Sequence, residues 1–116
     1  MNGISVRERG EASRLVELSG EFDLHDLENL RVALDWALGG TSTPSSPAVV
    51  DLSGVTFLDV VTTRELALSS QLHARYMTLH SPSPAVLASV AACGLGDWFR
   101  FGDDAAAVPE VPEPYR

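Results

Sequence analysis

The chain has 116 residues, 45% of them hydrophobic and 21% charged, which suits one domain with one core and excludes two. Its formal net charge of −8 works against nucleic-acid backbones and anionic membrane surfaces, which recruit Lys and Arg. Cys93 is the single cysteine, so an internal disulfide and a thiolate zinc cluster are both excluded.

The opening residues, Met1 to Val6, show no basic stretch followed by an apolar run, and a signal peptide is not expected. No apolar stretch approaches the ~20 residues that span a bilayer. The expectation is a cytoplasmic protein without direct membrane insertion.

Ile4–Glu8 and Arg14–Ser19 are β-compatible, with a turn at Gly10-Glu11 and a strand end at Gly20-Glu21-Phe22-Asp23. Leu24, Leu27, Leu30, Leu34 and Leu38 recur at helical spacing and predict a helix over 24–38. Asp23 or Asp26 can cap it, and Gly39-Gly40 stops it. A polar Ser/Thr/Pro loop follows over 41–47.

Ala48–Leu52 is a short apolar run suited to a central strand. Ser53-Gly54 is expected to turn the chain, and Val55–Leu58 to return it to the core. A helix is predicted from about Val60 to Ala74, with Leu66, Leu68 and Leu72 as its apolar anchors. Tyr76–His80 is a further strand. Ser83 followed by Pro84 marks a third helix to Cys93, with Val86, Leu87 and Val90 inward and Gly94 at its end.

Trp98–Phe101 reads as an exposed apolar patch or edge strand that could support a homodimer. Trp36 and Trp98 are expected to be core or half-buried, and Cys93 a small buried residue. After Gly102 an acidic, Pro-rich tail over 103–116 is expected to be flexible. The element order is β-β-α-β-α-β-α-β, an α/β chain with a mixed sheet and helices packed on it.

Catalytic chemistry finds little to use. His25, His73 and His80 lack metal-ligand spacing with one another or with Cys93, so neither metal nor cofactor is expected. Ser53-Gly54 lacks the glycine pattern of a nucleophile elbow, and no phosphate-binding loop is present. Asp23 and Asp59 both stand at strand-to-helix junctions. Such carboxylates can serve acid–base chemistry but more commonly cap helices. The segment Phe57–Thr63 is the candidate working surface, because a helix start exposes N–H groups and a partial positive charge.

Leu18-Ser19-Gly20-Glu21-Phe22-Asp23-Leu24, Val49–Asp59, Ser81–Val86 and Gly94-Leu95, in this order and spacing, resemble the STAS domain of bacterial anti-sigma-factor antagonists. That resemblance implies a four- to five-stranded mixed sheet with helices mainly on one face. It also implies a non-catalytic role in transcription regulation by binding an anti-sigma factor that is also a serine kinase. The family pattern at the second helix start is Asp-Ser-Ser/Thr-Gly. Asp59 matches its Asp, and Asp23 matches the acidic residue beside the phosphoacceptor.

Val60 and Val61 occupy the hydroxyl positions, so the resemblance implies a site without the usual phospho-switch. Thr62 or Thr63 could stand in as phosphoacceptor only through a slip in alignment. A STAS subunit regulating an ABC-type lipid-transporter ATPase is the alternative function. Nucleotide binding at the same helix start ranks below both, and enzymatic activity ranks last.

Overall fold

A computed structural model describes residues 2–9, 13–39 and 46–102. Two strands, β1 (Asn2–Arg9) and β2 (Ser13–Phe22), open the chain as an antiparallel pair. A 3-10 turn, Leu24–Asp26, leads into α1 (Leu27–Leu38). Then come β3 (Ala48–Leu58), α2 (Val60–Leu72), β4 (Met77–His80), α3 (Pro84–Ala92), a 3-10 turn at Gly96–Trp98, and β5 (Phe101–Gly102). The sheet order is β1-β2-β3-β4-β5, and every pair after the first is parallel. Parallel neighbours need crossovers, and helices supply them between β2 and β3, β3 and β4, and β4 and β5.

One apolar cluster holds the layers together. Val16 and Phe22 of β2, Val50 and Leu52 of β3, and Leu79 of β4 meet Leu30 and Leu34 of α1, Leu66 of α2 and Val86 of α3. The helices therefore pack on the sheet face that carries Val16, Val50 and Leu79. Each such side chain contributes roughly 1.5–3 kcal/mol by leaving water. Successive strand residues face opposite ways, so Leu15 and Val49, paired in register and buried, occupy the other face.

The Ser53-Gly54 turn expected from the sequence is absent, because β3 runs unbroken through it. Between Glu17↔Asp51 and Ser19↔Gly54, β3 gains one residue on β2, and it gains another between Gly20↔Val55 and Glu21↔Phe57. These are bulges, and each flips the side-chain parity of the residues beyond it. Leu52 follows Val50 into the core by simple alternation, Val55 and Leu58 reach it because of the shifts, and Phe57 is turned to the surface. Gly54 serves a close approach: a Cβ there would lie 2.9 Å from the Ser19 Cβ.

Other expectations also need correcting. Leu24 is exposed, because the first turn is 3-10 and the apolar stripe becomes inward only from Leu27. In α2, Leu66 is buried but Leu68 and Leu72 are exposed. At about 100° per residue, Leu68 and Leu72 stand roughly 200° and 240° round the helix from Leu66, on its opposite side. The buried arc is filled instead by Thr62, Thr63, Leu66, Ala67 and Ser70. Leu87 is exposed while Val86 and Val90 face inward.

Tyr76 precedes β4 rather than joining it, and α2 ends at Leu72. Phe99 is buried and stacks on Phe101 with ring centroids 5.4 Å apart, which removes it from the expected patch. Trp98 is exposed. Trp36 is half-buried, with the Arg14 guanidinium 4.2 Å over its ring and also donating to its carbonyl. Cys93 is a half-buried free thiol. The Gly10-Glu11 turn, most of the 41–47 loop and the 103–116 tail lie outside the described residues.

Candidate partner-binding site

The carboxyl ends of β2, β3 and β4 share one edge of the sheet, and α1, α2 and α3 all begin there. The strand ends are joined directly: Phe22 pairs with Leu58, and the Asp59 N–H donates to the Phe22 carbonyl at 3.1 Å. Asp23 and Asp59 therefore stand on adjacent strand ends, as a shared role would need.

Each carboxylate is committed to its own helix start. The Asp23 Oδ1 accepts from the His25 N–H at 2.8 Å, and the Asp23 N–H donates to Asp26 Oδ2 at 2.9 Å. The Asp23 side chain also accepts from the Asp26 N–H, which with the Asp26 carboxylate on the Asp23 N–H makes a capping box. The Asp59 Oδ1 accepts from the Thr62 N–H at 2.8 Å, satisfying an otherwise orphan donor of α2. The third start follows the same rule: Ser83 Oγ accepts from the Val86 N–H at 3.2 Å, with Pro84 opening α3. The Ser89 hydroxyl donates to the Leu58 carbonyl at 3.1 Å, which fixes α3 against the strand end that precedes Asp59.

The first turn of α2 divides its four β-branched residues. Val60 and Val61 are 53% and 41% exposed, whereas Thr62 and Thr63 are 1% and 0% exposed. The Thr63 hydroxyl donates to the Asp59 carbonyl at 2.7 Å. Thr62 Oγ1 is buried without a hydrogen-bond partner. Both threonine hydroxyls thus face the protein interior.

Leu24, Phe57, Val60 and Val61, on the segments that end the strands and open the helices, are exposed, as is Leu87 in α3. Exposed apolar groups that gather into one patch mark contact surfaces in soluble proteins. Sequence reasoning reached Phe57, Val60 and Val61 but placed Leu24 in the leucine stripe of α1 and Leu87 inward with Val86 and Val90. The 3-10 geometry at Leu24 takes it off that stripe, and in α3 the inward positions are filled by Val86 and Val90 without Leu87.

On the far side of α2, Arg31 of α1 donates to Glu65 Oε1 at 3.1 Å. That hydrogen bond, with the carboxylate's charge, holds the guanidinium above its ordinary pKa. His80 is buried, with Nε2 2.9 Å from Thr78 Oγ1, and its ring lies where a Cβ on Gly102 would stand. His25 and His73 are elsewhere, and among the described residues no group of three His, Cys, Asp or Glu is arranged to hold a metal ion. Nor is any described helix long and apolar enough to cross a membrane.

A five-stranded mixed sheet whose three helical crossovers are capped at their starts by Asp23, Asp59 and Ser83 is a SpoIIAA-like, STAS-class fold. The chain belongs to the family described as "Mlab, STAS domain", whose model matches residues 4–102. Its fold is similar to that of the anti-sigma factor antagonist SpoIIAA in its unphosphorylated form, at TM-score 0.61 and 22% identity, over 91% of this chain and 93% of that one. It is also similar to an uncharacterised DUF3478-family protein with a SpoIIAA-like fold from Shewanella loihica PV-4, at TM-score 0.56 and 15% identity, over 89% and 83% of the two chains. No curated protein matches the sequence.

Proposed function

We propose that this chain is a non-catalytic binding module of the anti-sigma-factor-antagonist type, which docks its protein partner on the helix-start edge without a phospho-switch. The observation that carries this reading is the division of α2's first turn. The exposed positions hold Val60 and Val61, and the hydroxyls of Thr62 and Thr63 point inward. Phosphorylating either threonine in place would put roughly two negative charges into an apolar core. A partner meets instead an apolar surface of Leu24, Phe57, Val60 and Val61 whose state does not change. The partner on this reading is an anti-sigma factor with serine-kinase character, and the outcome is constitutive transcriptional regulation in the bacterial cytoplasm.

A second reading has its own support, since the matching family is described as Mlab rather than as an antagonist. It makes the chain a STAS regulatory subunit of an ABC-type lipid-transporter ATPase, docked through the same edge.

Affinity capture from the native organism, comparing wild type with Val61→Glu, tests both. A captured kinase-type anti-sigma factor that is lost with Val61→Glu supports the first reading. A captured transporter ATPase lost in the same way supports the second. Incubation with the captured kinase should leave the intact mass unchanged. One added phosphate at Thr62 or Thr63 would contradict the switch-free reading.

A further inference from the structure

The two edge strands of the sheet differ. β5 is two residues long and offers little backbone to pair with. β1, on the other side, runs for eight residues in unbroken register with β2, from Asn2↔Gly20 to Arg9↔Ser13. It has no bulge, proline or lysine, the devices that usually keep an edge from pairing. Among the described residues nothing pairs with its outer side, where alternate residues present an N–H and a carbonyl with no partner in the sheet. Ile4 and Val6 lie opposite the core residues Leu18 and Val16 and so face the helices, yet Val6 is 44% exposed. Ser5 and Arg7 alternate onto the helix-free face.

On that face β1, β2 and β3 form a depression of about 380 Å³, lined by Gly3, Ser5 and Ser19 and by the acidic Glu17 and Asp51. We infer that β1 is the contact between two copies of this chain, paired antiparallel about a two-fold axis through Ser5, with the partner's Arg7 lying over Gly3 toward this depression.

The strand's own pattern selects that register. Directly opposite residues share a face, so a two-fold axis normal to the sheet passes through a residue. Placed at Ser5, it sets Ile4 against the partner's Val6 on the helix side, apolar on apolar. On the other face it sets Gly3 against the partner's Arg7. Gly3 has no side chain to block that guanidinium from Glu17 and Asp51. Glu17 then stands between two arginines, its own Arg7 at 3.3 Å and the partner's. An axis at Val6 would set Ile4 against Glu8, and one at Arg7 would set like charges directly opposite. This complementarity favours a second copy over a foreign strand. The chain's net charge is −8, yet β1 brings an arginine to the position where the depression's two carboxylates need one. α1 packs mainly over β2, one and a half strand spacings from the axis. The two α1 helices therefore lie about 14 Å apart, beyond the packing distance of about 8–10 Å, and the contact belongs to the strands. Because β5 is short, the paired sheets close as a dimer rather than extend. The two helix-start edges point to opposite ends of the joined sheet and stay free, so the inference stands without the proposed function.

The test is sedimentation equilibrium of the full chain from micromolar to millimolar concentration. The average mass should rise toward twice that of the chain. Val6→Lys and Arg7→Glu, both at exposed positions, should each weaken association at least tenfold, and Glu17→Arg added to Arg7→Glu should recover most of the loss. In a Cys93→Ser background, Ser5→Cys should form a disulfide-linked dimer under mild oxidation, since directly opposite residues stand about 4.5–5.5 Å apart between Cα atoms. Arg7→Cys should not. A monomer at every concentration overturns the inference, as does a dimer indifferent to Val6→Lys and Arg7→Glu. A dimer lost instead with Trp98→Lys also overturns it, placing the contact on the β5 side. Cross-linking at Arg7→Cys but not at Ser5→Cys overturns the register.

Discussion

The inner and outer faces of α2 reverse the usual division of a surface helix. Inside lie Thr62, Thr63, Ala67 and Ser70 around a single large apolar residue, Leu66; outside lie Val60, Val61, Leu68 and Leu72. A helix that only needed to cover the sheet would turn its leucines inward. On the proposed function, the outer face of this one is shaped by the partner it meets. The threonine hydroxyls are covered by the protein, and the branched apolar groups stand where a partner can reach them.

The largest effect should come from removing the inner face's one large side chain. Leu66→Ala is expected to cost ~2–5 kcal/mol in urea denaturation, while Leu68→Ala and Leu72→Ala should each change stability by less than ~0.5 kcal/mol. Equal losses at Leu66 and Leu68 would break the comparison. Gly54→Ala should come next, at ~1–3 kcal/mol, because its methyl group meets the backbone and Cβ of β2 across the bulge.

Loss of the α2 cap in Asp59→Ala should cost ~1 kcal/mol by thermal melting, with Asp59→Asn nearly neutral because an amide oxygen still accepts from the Thr62 N–H. The smallest effects separate the two threonines. Thr63→Val gives up a made hydrogen bond and should cost about 1 kcal/mol, whereas Thr62→Val removes a buried hydroxyl without a partner and should be neutral or stabilising. Matching losses at both positions would mean that Thr62 has a bond the static geometry does not contain.

Much of the fold could be read from the chain because local signals agreed. Helical leucine spacing marked α1, Ser83-Pro84 marked the start of α3, and the alternation of strands and helices marked a mixed sheet. Asp23 and Asp59 were legible as caps because a short carboxylate before an apolar helix has few other uses. The continuity of β3 was not legible. Ser-Gly reads locally as a turn, and only the ladder with β2 converts it into a bulge. The facing of α2 was hidden for a related reason: helical periodicity reports where leucines recur, and in this helix the recurring leucines face outward. Val60 and Val61 could be seen to replace hydroxyls, but the inward direction of Thr62 and Thr63 needed the helix phase that Asp59 sets.

The most direct test of a switch-free docking edge is quantitative capture of the native partner by wild type, Val61→Glu and Val32→Glu. Val32 is also an exposed valine but lies on α1, away from the helix starts. The expected result is at least a tenfold loss of capture with Val61→Glu and none with Val32→Glu, all three chains melting alike. Undiminished capture by Val61→Glu would contradict the assignment of this edge as the binding surface.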